Sequence, residues 1–213
     1  MYPALEVAAV AVLALYGVLR GARQHFDLVG ICYIAFAVAF GGGTLRDLLL
    51  DRHPIFWIEN DHLVWVAMGI AAAGAFLPTA VAKLEPYLWI PDALGLGLFS
   101  ILGAVYALDC GTGRFVAVLL GVVTGSFGGV IADVICNELP LVFVRSPLYA
   151  TCSFFGALAY VLLKWLGVDS SLAMGIGFCA VVALRVGAVR WGWYLPIHAV
   201  GSSAAVSGED KGE

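Results

Sequence analysis

The chain has 213 residues, of which 62% are hydrophobic and only 12% are charged, and its mean hydropathy is +0.97. Because soluble domains carry roughly 25% charged residues, this composition excludes a water-soluble protein and predicts one that crosses a membrane several times. The formal net charge is −4 and no basic patch is visible in the sequence, which argues against a nucleic-acid partner.

Long apolar stretches recur along the whole chain. A membrane-spanning helix needs about 20 mostly apolar residues, and the connections between these stretches are short. The sequence therefore predicts an all-α polytopic membrane protein without a soluble domain. The seven predicted transmembrane helices are at 4–20, 28–50, 63–82, 91–109, 114–136, 148–166 and 170–189.

The sequence lacks the patterns that are typical of enzymes and of cofactor sites. Five cysteines are scattered without a CxxC pair, and neither a GxSxG, an HExxH nor a Walker motif occurs. The four histidines lie in separate loops or in the tail. We expect no catalysis, no cofactor and no metal beyond permeant monovalent cations.

Three consecutive glycines interrupt the second predicted helix, and an Arg-Asp pair follows them. Each glycine in a helix interior costs about 1 kcal/mol relative to alanine, so the run needs a structural reason. Either the backbone bends or unwinds there and frees carbonyl oxygens to line a polar passage, or another helix comes very close. The candidate pathway residues in this helix are Gly41, Gly42, Gly43, Thr44, Arg46 and Asp47.

The fifth predicted helix repeats this pattern. Shifting the chain by 86 positions places Gly42 on Gly128 and Asp47 on Asp133. Two glycine-broken helices in matching halves are the best sequence indication of a binding or permeation site in a membrane protein. Two of the glycines lie four positions apart, which also fits a tight helix crossing. The candidate pathway residues in this helix are Thr124, Gly125, Ser126, Gly128, Gly129 and Asp133.

The repeat unit contains three helices. Because three is odd, the second copy must enter the membrane from the opposite face, which predicts an inverted repeat of three plus three helices with an extra seventh helix. The expected divisions are 1–86 for helices 1 to 3, 87–168 for helices 4 to 6, 169–196 for the seventh helix and 197–213 for a disordered tail.

The basic residues predict the orientation. Arg20 and Arg23 follow the first apolar run instead of preceding it, so we expect a retained helix and not a cleaved signal peptide. Lys and Arg are enriched in cytoplasmic loops, and this places the N-terminus outside and the C-terminus in the cytoplasm. The basic residues on the predicted cytoplasmic side are Arg20, Arg23, Lys83, Arg145, Arg185, Arg190 and Lys211.

Asp47 and Asp133 are the strongest functional candidates, because a carboxylate within hydrocarbon costs about 2.5–3.5 kcal/mol on insertion scales. They either attract cations along a shared path or hold the fold by pairing with an arginine. On a helix Arg46 does not face its neighbour Asp47, so we expect Arg46 to pair with another helix, for example with Asp133. The hydroxyl groups beside the glycines either line the path or bond back to carbonyls of their own helix.

Four further charged residues lie at predicted helix ends. Glu6 and Asp92 begin equivalent helices, where their charge favours the positive end of the helix dipole. Arg185 and Arg190 close the seventh helix, where we expect them to anchor the protein at anionic lipid headgroups.

These motifs resemble the bacterial relatives of the trimeric intracellular cation (TRIC) channels. The run GGGTLRD at 41–47 is the most specific part, and the resemblance covers about residues 5–196. The other matching motifs are Pro54, Phe56-Trp57, Asp92-Ala93-Leu94-Gly95, Gly128-Gly129 with Asp133, and Arg185, Arg190-Trp191 and Leu195-Pro196.

The resemblance implies a homotrimer in the cell inner membrane, with one pore for K+ or Na+ in each protomer. In that family the pore is bounded by glycine-kinked helices 2 and 5, which match 28–50 and 114–136 here. Animal members carry a basic lipid-binding motif near helix 4, but 104–114 contains no lysine, so phosphoinositide binding is not carried over. Two alternatives stay open: a secondary transporter for a small amino acid such as glycine, and a scaffold without permeation.

Overall fold

The structure of the chain is a computed structural model that describes residues 2–196. The tail predicted at 197–213 lies outside the described residues. A short 3-10 turn at Glu85–Tyr87 lies between the helices Pro78–Leu84 and Trp89–Asp109. The α-helices of the described part are α1 (Pro3–Arg23), α2 (Leu28–Leu49), α3 (Phe56–Glu59), α4 (Asp61–Phe76), α5 (Pro78–Leu84), α6 (Trp89–Asp109), α7 (Arg114–Ile135), α8 (Ala150–Trp165) and α9 (Ser170–Trp191).

The described helices confirm the all-α membrane architecture. Helices α1, α2, α6, α7 and α9 are each long and apolar enough to cross a membrane. Helix α8 has 16 residues, which corresponds to about 24 Å at 1.5 Å per residue. It is therefore shorter than the hydrocarbon core of roughly 30 Å, and the count of seven spans stays a prediction.

The third predicted helix, at 63–82, is not continuous. The chain bends by 100° between α4 and the segment Pro78–Tyr87. A residue before proline is pushed away from helical dihedral angles, and Leu77 accordingly has φ −119° and ψ 57°. Because Pro78 has no N–H to donate, it opens the next helix instead of continuing the previous one. The prediction of one helix over 63–82 was wrong at this proline.

Helix α6 is buried along most of its length and packs against α1, α7, α8 and α9. Its contact with α7 is close, because a β-carbon added at Gly103 would lie 2.8 Å from the carbonyl oxygen of Leu120. A β-carbon added at Gly17 of α1 would lie 3.0 Å from the carbonyl oxygen of Ile34 in α2. Gly103 and Leu120 lie 86 positions after Gly17 and Ile34. Helix α1 therefore packs on α2 as α6 packs on α7.

Helix α9, which follows the two predicted repeats, packs on α6 and α8. It ends at Trp191, and Gly192 after it has a φ of +64°, which turns the chain back. The amide of Leu148 then donates to the carbonyl oxygen of Trp193 at 2.9 Å. The segment before α8 is therefore attached to the end of α9.

Candidate functional site

Helices α2 and α7 cross at their glycines. A β-carbon added at Gly42 would overlap the carbonyl oxygen of Thr124, and one added at Gly128 would lie 2.8 Å from the carbonyl oxygen of Val38. Both helices are uninterrupted through this region. The expectation of an unwound backbone was therefore wrong, and its alternative, the close approach of another helix, is what the structure contains.

The crossing contacts are reciprocal between the two halves. Val38 and Gly42 become Thr124 and Gly128 when the numbering is shifted by 86. Exchanging the two helices therefore turns the contact of Gly42 with Thr124 into the contact of Gly128 with Val38. Such pairs of contacts are what a two-fold relation produces. In both contacts the later residue of one helix meets the earlier residue of the other. Helices α2 and α7 therefore run in opposite directions, and their C-terminal ends lie on opposite sides of the crossing.

The other glycines of the two runs are packing sites. A β-carbon at any of them would overlap a neighbouring side chain, which would have to shift. The overlapping pairs are Gly41 with Ile131, Gly43 with Phe56, Gly125 with Ser100, and Gly129 with Tyr149.

The three candidate hydroxyls bond back to their own helices. Thr44 donates to the carbonyl oxygen of Phe40 at 2.8 Å, and its oxygen accepts from Trp57 Nε1 at 2.9 Å. Thr124 and Ser126 each donate to the carbonyl oxygen four residues earlier, at 2.6 and 2.7 Å. In this conformation each hydroxyl proton is used within its own helix, as one of the two sequence interpretations expected.

Asp47, at the end of α2, is fully buried and is held by two arginines. Arg46 Nε donates to its Oδ1 at 2.8 Å and Arg52 Nη1 donates to the same oxygen at 3.0 Å. The amide of Phe56 donates to Oδ2 at 2.9 Å. We call Asp47, Arg46, Arg52 and Phe56 the Asp47 cluster. The expected pairing of Arg46 with Asp133 was wrong, because the long arginine side chain folds back onto its neighbour.

Tyr106 of α6 connects the Asp47 cluster to α1. The guanidinium carbons of Arg46 and Arg52 lie 4.3 and 4.2 Å from the centre of its ring, which is a cation–π arrangement. The Tyr106 hydroxyl donates to Glu6 Oε1 at 2.6 Å. Glu6 lies in the first turn of α1 as expected, but its carboxylate binds a side chain from the other half of the chain.

Asp133, at the end of α7, is held in a similar way. Arg20 Nη2 donates to its Oδ1 at 2.9 Å, and the amide of Leu141 donates to its Oδ2 at 3.0 Å. The same arginine nitrogen donates to Glu138 Oε2 at 3.0 Å, and Gln24 donates to the other oxygen of that carboxylate at 3.0 Å. We call Asp133, Arg20, Glu138 and Leu141 the Asp133 cluster.

A third buried ion pair joins α6 to α9. Arg185 Nη2 donates to Asp92 Oδ2 at 3.1 Å, and the hydroxyl of Tyr149 donates to Asp92 Oδ1 at 3.1 Å. Arg185 Nη1 also donates to the carbonyl oxygens of Pro147 and Leu148, both at 3.0 Å. Arg185 is only 4% exposed, so its expected role at lipid headgroups was wrong.

Sequence reasoning missed the part that Arg20, Tyr106 and Arg185 take in these clusters. It treated Arg20 and Arg185 as loop or interfacial charges that set the orientation. A signal was present, since each arginine stands inside or at the end of an apolar helix, and a second apolar helix carries a carboxylate that could pair with it. Within residues 2–196, no group of three or more His, Cys, Asp or Glu side chains could hold a metal ion.

The helices, the reciprocal crossing and the buried ion pairs define a multi-pass membrane protein with buried charged clusters. A family model described as "Glycine transporter" matches the chain twice, at residues 3–79 and 89–165, and these segments are again offset by 86. The chain belongs to this family and is a prokaryotic homologue of the TRIC channels, which confirms the resemblance found in the sequence.

Individual relatives agree with this assignment. A "UPF0126 membrane protein" of Vibrio cholerae is 34% identical over 92% of this chain and 82% of the relative. The "UPF0126 inner membrane protein YadS" of Escherichia coli is 31% identical over 92% of this chain and 95% of the relative. The TRIC trimeric intracellular cation channel orthologue from Rhodobacter sphaeroides is 33% identical in sequence over 89% of this chain and 97% of that chain. Its crystal structure superposes on this one with a TM-score of 0.81.

Proposed function

We propose that the chain is a channel for monovalent cations, K+ or Na+, that assembles as a homotrimer with one pathway in each protomer. The observation that carries this proposal is the reciprocal crossing of α2 and α7, with a buried carboxylate beyond the glycines of each helix. The similarity to a trimeric cation channel orthologue supports both the ion class and the trimer.

The pathway follows α2 and α7 between the Asp47 cluster and the Asp133 cluster. At the crossing the two backbones are in contact, so an ion passes only when the helices separate there. The glycine runs are the place where α2 and α7 would bend during that separation, because they lack side chains that resist it. We propose that Gly41 to Gly43 and Gly125 to Gly129 serve as these hinges and line the open pathway.

The two carboxylates have two effects on conduction. Each attracts cations to its end of the pathway, and each is neutralised by arginine while the cluster is intact. Conduction therefore requires the arginine to move away from the carboxylate. We place the chain in the cell inner membrane, with the Asp133 cluster on the cytoplasmic side, because the basic loops favour that orientation.

Single-channel recording in planar bilayers tests the proposal. We expect purified protein to pass K+ current, and we expect Asp133→Asn and Asp47→Asn to lower the unitary conductance. Asp61→Asn is the matched control, since this exposed carboxylate at the start of α4 belongs to neither cluster. Unitary conductance is measured on molecules that have folded and inserted, so a loss of stability does not imitate the effect. Unchanged conductance and selectivity in both variants would remove the assigned pathway.

A second candidate function is secondary transport of glycine, which the description of the matching family model favours. In that case the two clusters would bind the carboxylate and the amine of the substrate. Proteoliposomes would then take up labelled glycine in a saturable way and would show no unitary currents. Unitary K+ currents without glycine uptake would exclude this candidate.

A further inference from the structure

A cavity lies beside the point where the described part of the chain ends. Its volume is about 500 Å³. One wall belongs to the segment 141–151, which connects α7 to α8, and the other contains Leu195 and Pro196, which follow α9. Residues 197–213 continue directly from Pro196. This last part of the chain therefore begins at the edge of the cavity.

Arg145 gives the cavity a positive charge that is not neutralised. Its side chain is exposed, and its guanidinium carbon lies 5.4 Å from the centre of the Tyr194 ring. It forms no salt bridge with any carboxylate of residues 2–196. Val142 and Leu148 supply apolar surface in the same cavity. A ligand that fits this lining carries negative charge next to small apolar groups.

The equivalent segment of the first half is built differently. Phe56, which precedes Val142 by 86 positions, is buried in the apolar core and packs against Gly43. Val142 has a smaller side chain, which is only partly buried and lines the cavity. The residue equivalent to Arg145 is Glu59. The larger ring and the acidic residue of the first half would both oppose an acidic ligand, whereas Val142 and Arg145 admit one.

We propose that this cavity binds residues 204–210 of the same chain, whose sequence is Ala-Ala-Val-Ser-Gly-Glu-Asp. The first three of these residues are small and apolar, and they cover the wall beside Val142. The carboxylates of Glu209 and Asp210 pair with Arg145. The segment thus combines the two properties that the lining requires, in the order in which an apolar wall and a charged rim would meet them.

The connection to the cavity is long enough for this contact. Seven residues separate Pro196 from Ala204, and seven residues span up to about 25 Å when they are extended. Because the segment is tethered beside its site, its effective concentration is on the order of millimolar. Contacts that are individually weak are therefore sufficient to keep the segment bound.

The bound segment would contact a part of the chain that also holds the Asp133 cluster. The amide of Leu141, in the cavity wall, donates to Asp133 Oδ2 at 3.0 Å. Arg185 binds the carbonyl oxygens of Pro147 and Leu148 in the same wall segment. Binding of residues 204–210 adds contacts to this segment and thereby stabilises the arrangement around Asp133.

Limited proteolysis of the full chain in detergent tests the proposal. Trypsin cleaves after Lys211, directly beyond the bound segment, and the loss of Gly212 and Glu213 is followed by mass spectrometry. A protease acts on the population of molecules in which the segment has left its site, so the initial rate reports the unbound fraction. The wild type should be cleaved roughly fivefold more slowly than the free peptide 197–213, since a tethered segment is mostly bound.

Variants of the cavity leave the cleaved sequence unchanged. Arg145→Gln should raise the rate by up to about fivefold, which is the contribution of an ion pair near solvent, and high salt should do the same to the wild type. Arg145→Lys keeps the charge and should stay close to the wild type. Val142→Phe copies the first half, fills the apolar part of the cavity and should also raise the rate. Arg23→Gln is the matched control, because this exposed arginine lines another cavity and pairs with Glu85.

Two results would refute this binding site. The first is a wild-type rate equal to that of the free peptide, which is also the result expected if a lipid or another protein occupies the cavity. The second is a rate that neither Arg145→Gln nor Val142→Phe raises more than Arg23→Gln does, at unaltered melting temperatures. None of these measurements depends on ion permeation, so the binding of the segment and the proposed channel fail separately.

Discussion

The Asp47 cluster and the Asp133 cluster have the same plan but different surroundings. In each, a carboxylate near the end of a glycine-containing helix accepts from an arginine and from a backbone amide that follows it in the chain. Arg46 and Asp47 are 1% and 0% exposed, and both belong to α2. Arg20 comes from the other half of the chain and also binds Glu138, whose side chain is 46% exposed.

The Asp47 cluster thus has a fully buried central pair and reaches water only through Arg52, whose side chain is 25% exposed, whereas the Asp133 cluster ends in a half-exposed carboxylate. Charge interactions inside the protein are strong and weakly screened, whereas those near solvent are weak and depend on salt. The Asp47 cluster is therefore expected to be the last of the two to separate. The Asp133 cluster joins α1 to α7, and we expect it to separate first when α2 and α7 move apart.

The largest effect is expected for Asp47→Asn. This change leaves Arg46 buried without its counter-charge, which typically costs about 3–5 kcal/mol. Thermal unfolding in detergent would measure the loss, and Asp61→Asn would serve as the exposed control. If Asp47→Asn lowered the free energy of unfolding by less than Asp133→Asn does, the Asp133 cluster would be the more stabilising of the two.

A smaller effect is expected for Arg20→Gln, at about 1–3 kcal/mol, because Glu138 already lets water reach this cluster. The double variant Arg20→Gln/Asp133→Asn should cost less than the sum of the two single changes, by about 0.5–3 kcal/mol. Thermal unfolding of the three variants completes the cycle. Strict additivity would mean that the two side chains do not interact in the membrane.

The contact between the halves is tested by Gly42→Ala and Gly128→Ala. Each should destabilise the protein by about 1–3 kcal/mol, since an added methyl group overpacks the crossing. Gly69→Ala in α4 is the control, because no neighbouring helix or other side chain of the described residues comes within 4 Å of a β-carbon at that position. It should be neutral or stabilise by up to about 1 kcal/mol. Equal melting temperatures for all three variants would contradict the tight crossing.

The smallest effect is expected for Glu138→Gln, at no more than about 1 kcal/mol. The half-exposed pair with Arg20 is screened by salt, so the difference from wild type should shrink as the salt concentration rises. Melting temperatures at low and high salt check this. A large effect that is independent of salt would mean that the Glu138–Arg20 pair is as well shielded from water as the Arg46–Asp47 pair.

Sequence reasoning identified both carboxylates but assigned Arg46 the wrong partner. Asp47 and Asp133 stood out because a charge within apolar sequence is costly wherever it lies. The adjacency of Arg46 and Asp47 was taken to exclude a contact, since neighbouring residues point to different sides of a helix. The rule describes Cβ directions, and a long guanidinium side chain can fold back to reach its neighbour.

The glycine runs have two compatible interpretations, a bend or a close neighbour. The structure contains the close neighbour, since the backbone of Thr124 in α7 lies opposite Gly42. The bend stays a prediction. Pro78 was visible in the sequence, but the helix at 63–82 was predicted from hydropathy.

The sequence by itself determined the membrane-spanning class of the protein, the repeat of 86 residues and the identity of Asp47 and Asp133, two of the four buried acids among residues 2–196. These properties depend on the composition and order of neighbouring residues, which are linear information. Only the tertiary structure decided that Arg20 binds Asp133 across 113 positions of sequence and that α2 touches α7 at the glycines. Such contacts depend on which distant atoms come within a few ångströms of each other, and no local pattern encodes that distance.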